Sequence, residues 1–469
     1  MTLERVTDDV PRWMFLGILV YAPFAYGCRL PLEMVVLNQF AAALMVFWAI
    51  ACLARRRWPL LPWLPTTLVT LLLLQGWWLA RNAHSIHIFT TTTTVIRIWD
   101  HPPLPGWPGA IDRHLANFSV INVTSMLLLF LFACELMAQS VWRKRVWVTM
   151  ALTATGVALL GTVLKLGGPP MREWLWGKDV AQVETTFAAY RYHGNAASLM
   201  SIGWTMVLGF VAVSASQKRR SLMLTGWLVA LLGLLFGLAL NTSRAGWALA
   251  CFGALLVGSR CLWAWWCIGR EDFDWKLGLL QGGVMLGVIV LLTAAGLGTH
   301  WPDKLARMET VFKTMEVRYH AEVYQQLAKE TDLLGNGPDC FPVALPPYMA
   351  AFGKSDEKYK FWRNAHNDYY EYLVNWGWGG LILWAVLVFG GLMSGFREHF
   401  CAPVHRDSAQ WMLGFCGGAA MLEILLHARW DFPLEIASIL LFFLTLLADS
   451  WARLGTAGEA LLPKLCPPG

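Results

Sequence analysis

The stretch 364-NAHNDYYEYLVNWGWGGLILW-384 changes character halfway along. It opens with His366, Asn367, Asp368 and Glu371 within six residues, then turns into a run of Leu, Ile, Trp and Gly. No charge follows between Tyr372 and Phe396. A hydrocarbon core of about 30 Å is crossed by roughly 17–25 apolar residues as helix, so this segment predicts a membrane span. The polar half then stands at the rim of the bilayer. An imidazole, two carboxylates and an amide at that depth need a reason.

Working outward, the same pattern recurs. The chain of 469 residues is 57% hydrophobic and only 14% charged, with 27 Trp; soluble domains carry about 25% charged residues. Charge-free runs lie at Met34–Ala54, Trp58–Ala80, Leu115–Cys134, Val146–Leu164, Gly194–Gln217, Ser221–Ser243, Leu277–His300 and Tyr372–Phe396. Shorter candidates at Trp13–Cys28, Ala245–Ser259, Ser408–Leu422 and Ile436–Ala448 bring the expectation to about twelve transmembrane helices in an all-α integral membrane protein. The first run lacks a cleavage motif of small residues and reads as retained. Ten cysteines fall mostly in or beside spans without a C-x-x-C, which reads as packing thiols and gives no metal site.

Basic clusters give the sidedness. Arg55-Arg56-Arg57, Arg143-Lys144-Arg145, Lys218-Arg219-Arg220, and Arg260 with Arg270 and Lys276 occupy every second connection. Lys/Arg-rich short loops face the cytoplasm, so both termini are expected inside. Residues 1–300 then hold spans one to nine, with outer loops at 81–114 and 165–193. Residues 301–371 form a large outer loop, and 372–469 hold spans ten to twelve and a cytoplasmic tail. Within the large loop Leu305, Met308, Val311, Phe312, Met315, Tyr319, Val323 and Leu327 recur at steps of three and four, the mark of an amphipathic helix. The Thr90–Thr94 run carries no functional reading.

Topology brings four segments to one rim: 190-YRYHGNAAS-198, 241-NTSRAG-246, the His366 block, and 423-EILLHARWDFPLE-435. Taken singly, each polar residue has a plainer role. An arginine at a helix end anchors at the interface, Asn364 or Asn367 caps the helix, and Glu423 pairs inside the bundle. Together they suggest a chemistry. Guanidinium forks grip phosphate oxygens and stay charged, so Arg191 and Arg244 can hold a diphosphate and neutralise its departure without a metal. His366 suits orientation or deprotonation of an attacking hydroxyl near neutral pH, with Asp368 or Glu371 in reach to fix its tautomer.

The blocks 191-RYHGNAASL-199, 240-LNTSRAGWAL-249, 333-LLGNGPDCF-341, 366-HNDYYEYLVNWGWGGLIL-383 and 427-HARWDFPLEIASILLFF-443 resemble the O-antigen ligase/polymerase superfamily of bacterial membrane glycosyltransferases. The resemblance covers roughly residues 185–445. It implies a fold of the C-type glycosyltransferase kind in the inner membrane, acting at the periplasmic face on an undecaprenyl-diphosphate-linked glycan. Arg191 and Arg244 match the family's diphosphate-binding arginines, His366 its catalytic histidine, and Arg318 a recurrent arginine of the long loop. Asn367, Asp368, Tyr369, His427 and Arg429 are expected beside the substrate. Transfer is expected to be inverting and to need no cofactor. The partners are the lipid bilayer, the donor, and lipid A–core or another glycan acceptor, with no nucleic acid. Ligation of O-antigen to lipid A–core fits the compact loop best. Polysaccharide polymerisation and protein glycosylation share the donor. A polyprenyl-lipid transporter would also line a path with arginines, but the internal repeats common in transporters are not found.

Overall fold

In lipid every backbone N–H and C=O must be satisfied within the chain, and the apolar runs answer as helices. The computed structural model describes residues 3–89, 95–99, 101–177, 185–216, 221–241, 243–268, 287, 321–352, 363–401 and 408–465. Its elements are α1 (Leu3–Phe24), α2 (Pro31–Ala54), α3 (Trp63–Arg81), β1 (Ser85–Phe89), β2 (Val95–Trp99), α4 (Arg113–Met137), α5 (Ser140–Leu166), α6 (Gly168–Trp176), α7 (His193–Ser216), α8 (Ser221–Leu240), α9 (Arg244–Ile268), α10 (Ala321–Glu330), α11 (Phe341–Ala351), α12 (Asp368–Cys401), α13 (Ser408–His427) and α14 (Ala437–Leu465).

Among the described residues, nine helices are long and apolar enough to cross a membrane: α2 to α5, α7 to α9, α12 and α13. The expected spans Trp13–Cys28 and Ile436–Ala448 fall in α1, with the short 3-10 turn Tyr26–Cys28 that closes it, and in α14. Leu277–His300, Arg318, Lys218–Arg220 and Thr90–Thr94 lie outside the described residues. So does the expected amphipathic helix up to residue 320. Its last turns are α10, whose Val323, Tyr324 and Leu327 bury against Phe341, Leu345 and Val374.

Burial ranks the helices. The apolar stretch of α7 is 89% buried and that of α2 only 22%, so α7 is central and α2 peripheral. Helix α7 packs against α5, α8, α9 and α13, while α14 packs against α4, α12 and α13. Val35, Phe47, Leu74, Val229 and Phe236 turn outward, as lipid-facing side chains must. One departure from the all-α expectation is an antiparallel hairpin, Ser85↔Trp99 to Phe89↔Val95. Its signal is the period-two pattern of 85-SIHIF-89 and 95-VIRIW-99, within the expected outer loop 81–114.

The two ends of the bundle differ. Arg57 pairs with Glu135 at 2.5 Å, and Arg143 and Arg453 pair with Asp449 at 3.0 and 2.8 Å. These described basic clusters share the end opposite His366. The other end is tied by Arg29 to Asn364 at 3.0 Å and by Tyr190 to Ser438 at 2.9 Å. Of the six non-glycine residues with positive φ among the described residues, Tyr26, Cys28, Ala188, Asp339 and His366 gather there.

Helix α12 is broken where the quoted stretch reads Trp376-Gly377-Trp378. Gly377 has φ 65° and ψ −176°, a region open essentially to glycine alone. The segment 332–337 inserts beside the break. Asn336 N donates to Val374 O and Gly337 N to Asn375 O, both at 2.9 Å, and Gly379 N donates to Leu333 O at 2.8 Å. Gln75 of α3 donates to Trp376 O at 2.6 Å. A Cβ on Gly377 would stand 2.5 Å from Leu333 O. The glycines thus let two backbones touch, and the nine residues before the break form a separate rim helix.

Candidate active site

The rim helix positions the histidine. His366 has φ +51°, a conformation uncommon for a residue with a side chain, and its neighbours hold it there. Asn367 caps the helix, its Oδ1 accepting from Tyr369 N at 3.1 Å and Tyr370 N at 3.3 Å. Asp368 N donates to Ala428 O at 2.9 Å, and Asp368 Oδ2 accepts from Leu434 N at 2.9 Å. Glu371 accepts from Ala365 N at 2.8 Å and Asn364 Nδ2 at 3.0 Å. Of these two carboxylates, expected to reach the imidazole, Glu371 instead holds the backbone just before it and Asp368 holds the connection between α13 and α14.

The carboxylate on the imidazole is Asp431, from the connection between α13 and α14. Its Oδ1 lies 3.2 Å from His366 Nδ1. Burial alone would raise the Asp431 carboxyl. The hydrogen bond from His366, the imidazoles of His427 and His366, and a hydrogen bond from Tyr192 outweigh it and hold the group below the usual carboxylate range. An ionised Asp431 accepts Nδ1–H and leaves Nε2 as the basic nitrogen. The His366 side chain is 23% exposed, so that nitrogen can be reached from outside, and its ring meets Phe432 edge-on at 4.9 Å.

His427, expected against substrate, is 3% exposed. Its Nδ1 lies 2.7 Å from Ser198 Oγ, and its Nε2 lies 3.6 Å from Asp431 Oδ2. It buttresses Asp431 from inside the bundle. Below it Glu423 is fully buried and accepts from Thr205 Oγ1. Tyr369 spends its hydroxyl on Leu425 O at 2.7 Å. Arg429 is exposed on the same connection as Asp431.

Arg191 and Arg244 are both exposed, at the starts of α7 and α9. Asn241 Nδ2 donates to His193 O at 3.0 Å, tying the turn after α8 to the start of α7. A Cβ on Gly246 would lie 2.6 Å from Ala197 Cβ, so α9 and α7 begin in close contact. The two arginines therefore share one mouth. His366 borders it: Tyr192, next to Arg191, stacks on Phe432 at 5.7 Å, and Asp431 Oδ2 lies 2.9 Å from where a Cβ on Gly194 would stand.

At the end of the first expected span, Arg29 could either snorkel or sit in protein. The structure sets its guanidinium 4.9 Å over the Phe432 ring, on which His366 also packs. The partner Asn364 is 335 residues away, too far for any local pattern to signal. Among the described residues no group of three or more His, Cys, Asp or Glu side chains is placed to hold a metal ion.

Residues 228–385 match the family model of the O-antigen ligases, the family that the sequence blocks resemble. The matched segment contains Arg244, the docking loop 332–337, His366 and the break in α12. Arg191 and Asp431 lie outside it. No curated protein matches the chain.

Proposed function

We propose that this O-antigen-ligase-like membrane protein transfers a glycan from an undecaprenyl-diphosphate-linked donor to an acceptor hydroxyl at the periplasmic face, ligating O-antigen to lipid A–core. The observation that carries the reading is the His366–Asp431 pair standing beside the mouth that bears Arg191 and Arg244. The diphosphate lies on the two guanidiniums, and the anomeric carbon lies between them and His366. The acceptor hydroxyl gives its proton to Nε2 of His366 as its oxygen bonds to the anomeric carbon. The bond from that carbon to the diphosphate oxygen breaks, and undecaprenyl diphosphate leaves with the electron pair. Asp431 stabilises the imidazolium, and the anomeric configuration inverts. Fixed cations aimed at charge that grows in the transition state are worth about 2–4 kcal/mol each, or roughly 10²–10³ in rate.

The test is Arg191→Lys and Arg244→Lys, assayed with lipid-linked O-antigen donor and lipid A–core acceptor at matched protein levels. A point charge does not replace a bidentate fork, so each variant should lose roughly 10²-fold or more. Near wild-type turnover in both would reduce the arginines to interfacial anchors. Transfer to a growing repeat but never to lipid A–core would make the protein a polymerase.

A further inference from the structure

A cavity lies beside the loop that carries His366. Arg29, Arg363, Asp339, Asn364 and Glu435 supply much of its polar lining, and apolar side chains of α2, α4 and α14 line much of the rest. Asn364 stands two residues before His366, and Arg29 shares the Phe432 ring with it. The cavity and the imidazole are therefore neighbours across one loop.

The lining groups are held in place but little used by one another. A guanidinium has five N–H donors, and Arg29 gives one to Asn364 Oδ1 at 3.0 Å. Arg363 stands 3.6 Å from Asp339, longer than the 2.7–2.9 Å usual for a charge-assisted bond. Glu435 donates its backbone N–H to Phe432 O at 3.3 Å, and its carboxylate takes no hydrogen bond among the described residues. Its carboxyl is pushed up to about 7 by burial and by Asp339, against the pull of Arg363 and Arg29. Asp339 is pushed up to about 6, by burial first. Strained backbone sets these groups: Asp339 has φ +58°, and Tyr26 and Cys28, just ahead of Arg29, have φ +53° and +52°. Such strain persists where surrounding structure imposes it, and it clusters at ligand sites.

The donor set selects the ligand class. A phosphate would need an excess of cations, and here two guanidiniums face two acids. Interleaved donors and acceptors of near-zero net charge match the vicinal hydroxyls of a sugar, and the apolar side chains beside them can cover a ring face. We propose that this cavity is the subsite for the acceptor's sugar, holding the residue that carries the reacting hydroxyl, with Arg29, Arg363 and Glu435 gripping its other hydroxyls. The inference rests on the glycosyl-transfer reading. It gives the reaction two flanks about His366, the donor diphosphate on Arg191 and Arg244 and the acceptor sugar on Arg29 and Glu435.

The experiment uses the full-length protein in lipid nanodiscs, with lipid A–core from an O-antigen-free strain as acceptor and undecaprenyl-diphosphate-linked O-antigen as donor. Glu435→Gln keeps shape, and Arg363→Ala removes a side chain that is 48% exposed, so neither should disturb folding. Each should raise the acceptor KM tenfold or more and leave the donor KM within twofold. Unchanged acceptor KM in both variants overturns the subsite, and a raised donor KM assigns the cavity to the donor and overturns it too. A parallel titration with lipid-free core oligosaccharide reads binding alone. Wild-type binding that weakens tenfold in both variants supports the subsite even without transfer, whereas absent transfer in the wild type counts against the glycosyltransferase reading.

Discussion

At the residue scale, the decisive partner of His366 is a carboxylate 65 positions away. The imidazole, the cap and the rim position were legible in 364-NAHNDYYEY-372, because capping and span onset are local patterns. The choice among nearby carboxylates was not. Asp368 and Glu371 are close in sequence, but the left-handed turn at His366 commits them to backbone amides and turns the ring toward Asp431. Asp431→Asn should therefore lower turnover by roughly 10²-fold or more, because the amide cannot favour the tautomer with a basic Nε2 or stabilise the imidazolium. Donor affinity should be unchanged. The pH dependence follows from the lowered Asp431 carboxyl. A lowered carboxylate stabilises the fold above its unfolded value, near 3.8, and that stabilisation fades as pH falls through the folded value. Thermal melts should show Asp431→Asn less stable than wild type at pH 7, with the gap closing only below about pH 4. A constant gap from pH 7 to pH 3 would remove the charge argument.

At the element scale, the break in α12 separates the short rim helix that follows His366 from the longer apolar helix after it. The glycine-rich string predicted a span onset but not a break, since glycines also occur in unbroken transmembrane helices. What forces the break is the segment 332–337, which fills the hydrogen-bonding positions that the helix gives up. Gly377→Ala meets both a glycine-only conformation and the Leu333 carbonyl, so it should cost on the order of 1–3 kcal/mol and misplace His366. Gly17→Ala, in α1 with nothing within 4 Å of the added carbon, is the matched control and should be neutral or stabilising. Thermal stability and transfer activity measured together decide it. A Gly377→Ala protein with normal melting and turnover would show that the break does no positioning.

At the scale of the whole molecule, the multi-span helical character was legible because hydrophobic length is summed over many residues and tolerates local error. The Arg29 contact was not, because it depends on how segments 335 residues apart meet. Sidedness follows from the basic clusters around Arg57 and Arg143 at the end away from His366, which under the short-loop charge rule face the cytoplasm. In a cysteine-replaced background, an impermeant thiol reagent added to spheroplasts should label Lys329→Cys and spare Lys144→Cys until the membrane is opened. The reverse pattern would invert the molecule and place His366 in the cytoplasm.

The broken span also bears on biogenesis. A helix passed into lipid with unpaired backbone groups near its end would pay several kcal/mol for each. The groups that relieve this, from Gln75 and from residues 332–337, all precede α12 in the chain. Co-translational insertion therefore delivers α12 to a surface already waiting for it. The carboxylate that aligns His366 comes after α13, so a ribosome-bound chain that has just inserted α12 holds the imidazole without its partner. The His366–Asp431 pair is therefore completed only when the last helical hairpin closes.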